Sequence, residues 1–221
     1  QTLVSDAPAL TTRREVKESA MNTVRRVLCI WFFSAFTVMP SAVALQATSE
    51  DGAVIGHLTQ IEGNVLRYVT GEDDWVQMVK DSPVGNEDLL FCEEGSKAEI
   101  IIPNNTWIRS GSTTKLHIIN LADDTTELEV ESGLARFFNK SSVAVIKAAT
   151  PFGSVLAPPL TAFDLYLQDD TVQVTALAGT VTFNYLRDNS NHEVKAGSAS
   201  LLVDYETVNA VPGATDEAWN A

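Results

Sequence analysis

Cysteine is almost missing from this 221-residue chain, which has two. Cys29 sits in a short apolar run near the N-terminus, which leaves Cys92 alone in the rest of the chain. A lone Cys92 excludes an internal disulfide framework, and its expected state is a small buried hydrophobe. An intermolecular disulfide is the minor alternative in an oxidising compartment. Histidine is also sparse. His57, His117 and His192 are isolated in sequence, and no H-x-x-H, H-E-x-x-H or C-x-x-C string brings ligands together. No metal and no cofactor is expected. Positive charge is outnumbered, with 15 Lys+Arg against 29 Asp+Glu and a formal charge of −14. Such a surface repels nucleic acid and anionic lipid. No apolar run reaches the roughly 20 residues needed to span a bilayer as a helix. After Leu45 no segment carries a sustained 3.6-residue apolar stripe, which argues against a helical bundle.

The N-terminal part is organised differently from the rest. Met21 is followed by Arg25 and Arg26, then by the 13-residue apolar run 27–39, then by Ala42-Val43-Ala44. A basic start, a short apolar middle and small residues at the −1 and −3 positions give the layout of a cleavable secretory signal peptide. Residues 1–20 read as an upstream extension too short and polar to fold. The expected partition is therefore 1–20 extension, 21–44 signal peptide, 45–205 β domain and 206–221 linker or tail. The expected location is periplasmic or secreted, with membrane attachment only if the signal segment stays uncleaved. From Leu45 onward ten Lys and Arg face 26 Asp and Glu, a formal charge of −16, spread through turns as solubilising charge.

What the chain has in abundance is strand signal. Ala98, Ile100 and Ile102 alternate with more polar neighbours, as do Leu116 and Ile118, Leu128 and Val130, and Val172, Val174 and Ala176. Period-2 alternation puts one side of a strand in a core and the other in water. Asp73-Asp74, Asn104-Asn105, Asp123-Asp124 and Asp169-Asp170 fall between these runs, where Asp and Asn tolerate turn backbones. They lack the spacing of a calcium loop. A weak repeat recurs at Gly63, Gly133 and Gly179, each following a strand-like run and preceding apolar and aromatic residues. The expected fold is all-β, a stacked, solenoid-like roll of short strands, with a β-sandwich as the alternative.

Chemistry is harder to find. Ser112-Thr113-Thr114-Lys115 is an S-x-x-K string, but it sits at a turn-to-strand junction and lacks the partner motifs that acyl enzymes require. Paired acids such as Glu93-Glu94 would serve a glycosidase only across a cleft of defined width. Asp164 stands inside the apolar string 162–166, which predicts burial against an arginine such as Arg136 or Arg109 in a structural ion pair. Trp75 and Trp107 lie on strand-like segments. Core packing is their default; exposed together on one side, they would form a platform for sugar rings. No catalytic residue is assigned, and no enzyme is expected.

Several elements in order resemble the FecR family, β-rich domains of the bacterial envelope. They are Gly63-Asn64-Val65, Trp75 to Val79, Asn86 to Leu89, Gly95 to Ile100, Ile108 to Leu116, Leu128 to Phe137, Thr150 to Gly153, Leu160 to Leu165 and Val174 to Val181. Leu160 departs from the family, which usually has Gly there. The resemblance spans about residues 56–203. It implies a non-catalytic protein-interaction or sensing module with an envelope protein as partner, received at a sheet edge or face. It also implies, as an alternative, the periplasmic part of a transmembrane regulator of the anti-sigma type, while Trp75 and Trp107, if exposed together, leave a glycan- or peptidoglycan-binding module as a further alternative. Gly95, Gly111, Gly133, Gly153 and Gly179 are expected at turns that need glycine.

Overall fold

The computed structural model of the chain describes residues 54–213. The expected extension at 1–20, the expected signal peptide at 21–44 and the last eight residues lie outside the described residues. Within 54–213 the regular elements are all β-strands. They are β1 (Gly56–Glu62), β2 (Val65–Val69), β3 (Asp74–Gln77), β4 (Pro83–Val84), β5 (Leu89–Cys92), β6 (Lys97–Ile102), β7 (Thr106–Ser110), β8 (Lys115–Leu121) and β9 (Thr125–Asn139). They continue as β10 (Val145–Thr150), β11 (Gly153–Ala157), β12 (Thr161–Gln168), β13 (Thr171–Ala178), β14 (Thr180–Tyr185), β15 (Asn191–Lys195), β16 (Ser200–Val203) and β17 (Val208–Val211).

The strands form one hydrogen-bonded network that does not close into a barrel. It divides into two sheets. The first runs β4–β1–β6–β7–β9–β12–β13–β16–β17. The second runs β3–β2–β5–β8–β9–β10–β11–β14–β15. The long strand β9 belongs to both: 125–132 pairs with β8 and β10, and 133–139 pairs with β7 and β12. Among the described residues only the β9–β10 ladder is parallel. Later hairpins alternate between the sheets. β10–β11 lies in the second, β12–β13 in the first, β14–β15 in the second and β16–β17 in the first. The chain thus advances along one axis, as in a stacked roll, while its antiparallel sheets share a core as in a sandwich.

Alternation is the reason for the strands. In β6 every second residue is buried, and Ala98, Ile100 and Ile102 point inward. Leu116 and Ile118 of β8, Leu128 and Val130 of β9, and Val172, Val174 and Ala176 of β13 do the same. Inward residues of both sheets form one contiguous core, in which Phe137 and Phe163 face each other across β9 and β12 and stack 4.7 Å apart. Burying one such ring is worth about 1.5–3 kcal/mol. Cys92 is buried in this core as a free thiol.

The weak repeat marks corners. Gly63 lies between β1 of the first sheet and β2 of the second, and Gly179 between β13 and β14. Gly133 is where β9 passes from one sheet to the other. All three have positive φ, at 77°, 71° and 83° respectively. At Gly133 a Cβ would stand 2.5 Å from the Thr114 Cα, so both conformation and space demand glycine there. Gly153 makes a close approach, since a Cβ would meet the Asn184 carbonyl oxygen at 2.2 Å. Gly95 also has positive φ.

Gly111 corrects the sequence expectation. It is not left-handed, and a Cβ there would meet Leu134 at an ordinary 3.5 Å. The turn into β8 instead puts its positive φ, 57°, on Thr113. The expected linker from 206 also gives way, because the first sheet continues to Val211 in β17. The Asp204 carboxylate accepts the Glu206 and Thr207 N–H groups and fixes the hairpin that returns β17 against β16.

Candidate functional site

The outward side of the first sheet is the most elaborated surface. Cross-strand register lines up Gln60, Glu99, Arg109, Arg136, Asp164 and Thr175 across β1, β6, β7, β9, β12 and β13. Ser200 of β16 extends the row through a 2.6 Å hydroxyl contact with Thr175. Arg109 and Arg136 are direct cross-strand partners, and like charges placed so are destabilising. Each is offset on its far side. Arg109 pairs with Glu99 at 2.8 Å. Arg136 donates through Nε and Nη2 to the two oxygens of Asp164 at 2.7 and 2.8 Å. Asp164 thus has one of the two arginines named from sequence, in the bidentate geometry that makes such pairs strong.

The adjacent row is apolar: Ile101, Trp107, Phe138, Ala162 and Ala178. The Lys140 ammonium lies 3.1 Å from the Trp107 ring centroid and 5.8 Å from that of Phe138, and the Arg109 guanidinium carbon lies 5.2 Å from the Phe138 ring centroid. Cations over aromatic faces are attracted by the ring quadrupole. A shallow groove of about 290 Å³ opens beside them, lined by Phe138, Lys140, Leu160, Thr161, Ala162 and Ala178. Leu160 forms one lip with 68 % of its surface exposed and a φ of 60°. Its backbone therefore keeps the left-handed conformation that a glycine would supply.

Trp75 and Trp107 do not share a side. Trp107 is on β7 of the first sheet, and Trp75 is on β3 at the edge of the second. Trp75 packs edge-on against Tyr68 and Phe91, at 5.4 Å and 60° and at 6.1 Å and 61°. The Tyr68 hydroxyl donates to Asp73, which holds the phenol above its usual range. The coplanar pair that a sugar platform needs is not formed. Sequence reasoning missed Phe138 and Lys140, and singled out Leu160 only as standing where a glycine is usual. The signal for Phe138 was available: in Arg136-Phe137-Phe138 only one aromatic can face the core, and Phe137 does.

The S-x-x-K residues serve the fold. The Ser112 hydroxyl accepts the Gly95 N–H at 2.9 Å, Thr114 exchanges hydrogen bonds with the Leu134 main chain, and Lys115 pairs with Glu131 at 2.6 Å. His117 lies 3.7 Å from Glu87, and His192 is 2.8 Å from Ser190. Among the described residues no group of three potential metal ligands converges, and no helix is long and apolar enough to cross a membrane.

No family model matches the chain, and no curated protein matches it. Among solved structures, two crystal structures of a putative anti-sigma factor from Parabacteroides distasonis ATCC 8503, at 2.50 and 1.65 Å resolution, are similar. Each aligns with a TM-score of 0.49 and 16% identity over 60% of this chain. The alignment covers 63% and 64% of the two solved chains, so this chain spans less than two thirds of their length. Identity and score of this size assign neither family nor role.

Proposed function

We propose that this chain is a non-catalytic protein-interaction or sensing module of the bacterial envelope, which receives an extended partner segment at a sheet edge. The observation that carries this reading is the character of β17. Among the described residues four strands pair on one side only: β3, β4, β15 and β17. Three of these edges are blunted. β3 carries Asp74, β15 carries Glu193 and Lys195, and β4 is two residues long with Pro83. Charge, proline and brevity are the usual defences against strand addition. β17, with Val208, Asn209, Ala210 and Val211, has none of them but shortness. Main-chain groups on such an edge give affinity, and alternate side chains give selectivity. The regulator reading uses the same module, held at the membrane by an uncleaved segment 27–39. The glycan reading is weakened by the separation of Trp75 and Trp107 on different sheets.

The test is crosslinking in cells of C-terminally tagged protein, followed by mass spectrometry of the partner and of the mature N-terminus. One dominant envelope protein is expected, and the outward-facing change Asn209→Lys should lower its recovery at least tenfold by charging the edge. Equal recovery with Asn209→Lys sinks the edge reading. A start near Leu45 supports the soluble module, whereas a product retaining Met21 in the membrane favours the regulator.

A further inference from the structure

Acidic residues are spread through most of this chain but avoid one part of its surface. No Asp or Glu occurs in 100–122, 132–163 or 171–187. The fold brings these three stretches together on the outward side of the first sheet, where Trp107, Phe138, Ala162 and Ala178 stand in one cross-strand row. The groove of about 290 Å³ beside that row takes its whole lining from the second and third stretches. Two cations rest over the aromatic rings. The Arg109 guanidinium lies 5.2 Å from the Phe138 centroid, and Glu99 already holds it at 2.8 Å. The Lys140 ammonium lies 3.1 Å from the Trp107 centroid, and among the described residues no carboxylate pairs with it. A chain of formal charge −14 thus keeps an unpaired positive charge on an acid-free, apolar surface. Leu160, on the lip of the groove, is 68 % exposed with a φ of 60°. An exposed leucine on a strained backbone adds little burial to the fold, and strain of this kind points to another use of the surface.

We propose that this groove docks an acidic segment of a partner protein, one that carries carboxylates on either side of large apolar side chains. The apolar part lies on Ala162 and Ala178 against Leu160 and Phe138, and a carboxylate takes the Lys140 ammonium. Size fits this occupant, because the groove is at the lower end of the roughly 300–1,000 Å³ range of small-ligand sites and suits one or two side chains. Shape fits it, because a floor of alanines lets another main chain come close to the sheet. Charge selects it. The acidic remainder of the surface repels such a segment, and the acid-free groove with Lys140 attracts it, so complementarity fixes where the carboxylate sits. An anionic membrane is the poorer match, since an extended negative surface meets the repulsion of the whole molecule. The groove spans β9, β12 and β13 and leaves out β17, so this inference goes beyond the edge reading and does not rest on it.

Fluorine NMR of the full chain labelled with 5-fluorotryptophan tests it, with Trp107→Phe and Trp75→Phe assigning two of the resonances. The probes are three tryptophan-free peptides: acetyl-DELFED-amide, its basic counterpart acetyl-KKLFKK-amide, and acetyl-DESSED-amide, which keeps the acid but lacks the apolar pair. Acetyl-DELFED-amide should move the Trp107 signal saturably at millimolar concentration and leave that of Trp75, on the second sheet, in place. The other two peptides should bind about tenfold more weakly or not at all. Lys140→Glu, a change of exposed charge that leaves the core alone, should weaken the acidic peptide about tenfold, and Leu160→Gly should weaken it several-fold. An unmoved Trp75 signal in each variant shows that the fold is kept. Asn209→Lys should leave the titration unchanged, which keeps failure of the edge reading distinct. Equal binding of the acidic and basic peptides, or no movement of Trp107 with any peptide, overturns the proposal. So does binding indifferent to both Lys140→Glu and Leu160→Gly. A Trp107 signal that shifts with protein concentration alone assigns the groove to a second copy, and one that responds to phosphatidylglycerol vesicles but not to the acidic peptide assigns it to a membrane; either result overturns the partner segment.

Discussion

Two side chains show how local physics sets behaviour at the residue scale. Burial pushes the Cys92 thiol up to about 12 from an ordinary value of 9.0. In the unfolded chain the thiol ionises above about pH 9, whereas the folded chain keeps its proton. The stabilisation tied to this group is therefore complete below pH 9 and is lost as pH rises through 12, at about 1.4 kcal/mol per unit. Urea midpoints at pH 8 and pH 10.5, compared with Cys92→Ala, should show an extra loss of about 2 kcal/mol in the parent alone. Leu160 is the second case. A left-handed backbone costs a non-glycine residue about 1–2 kcal/mol, and with 68 % of its surface exposed the leucine recovers little by burial. Leu160→Gly should raise stability by about 0.5–1 kcal/mol, the relief being partly offset by the freer unfolded chain. A thermal melt that falls instead would show that Leu160 packs more than its exposure suggests.

At the scale of elements, β9 is the hinge of the architecture. Its fifteen residues carry two alternations in sequence, one for each sheet. The switch between them is made at Gly133, where φ is 83° and the Thr114 main chain leaves no room for a methyl group. Gly133→Ala must either distort that corner or move β8 away from β9, so a loss of about 3 kcal/mol or more is expected. Chemical denaturation checks it, with Gly95→Ala as the control: that glycine also has positive φ, but nothing lies within 4 Å of its added Cβ. The control should cost only the conformational part, about 1–2 kcal/mol. Equal losses would mean that the corner is not sterically closed. The repeat of Gly63, Gly133 and Gly179 was legible in sequence as a recurrence. Its meaning as a set of sheet-to-sheet crossings was not, because a corner is defined by which strands pair on either side of it.

For the whole molecule, one shared core and one shared strand make the two sheets interdependent. Neither sheet buries its inward side without the other, so unfolding of the described domain should be a single cooperative transition. Far-ultraviolet circular dichroism and tryptophan fluorescence should give coincident urea curves, although Trp75 and Trp107 report on different sheets. Separate midpoints would divide the network at β9. The sequence by itself determined the all-β class, the inward residues of β6, β8, β9 and β13, the turn doublets and the burial of Cys92. These follow from alternation, which needs only the two-residue period of a strand. It also paired Asp164 with an arginine, because a carboxylate inside an apolar string must find a cation. Tertiary structure alone decided that Trp75 and Trp107 sit apart, that Gly111 needs no special conformation and that β17 completes the first sheet. It also decided that Trp107, Phe138 and Lys140 converge beside Leu160. Those outcomes depend on register between strands far apart in sequence, and periodicity within one strand carries no information about which strand lies beside it.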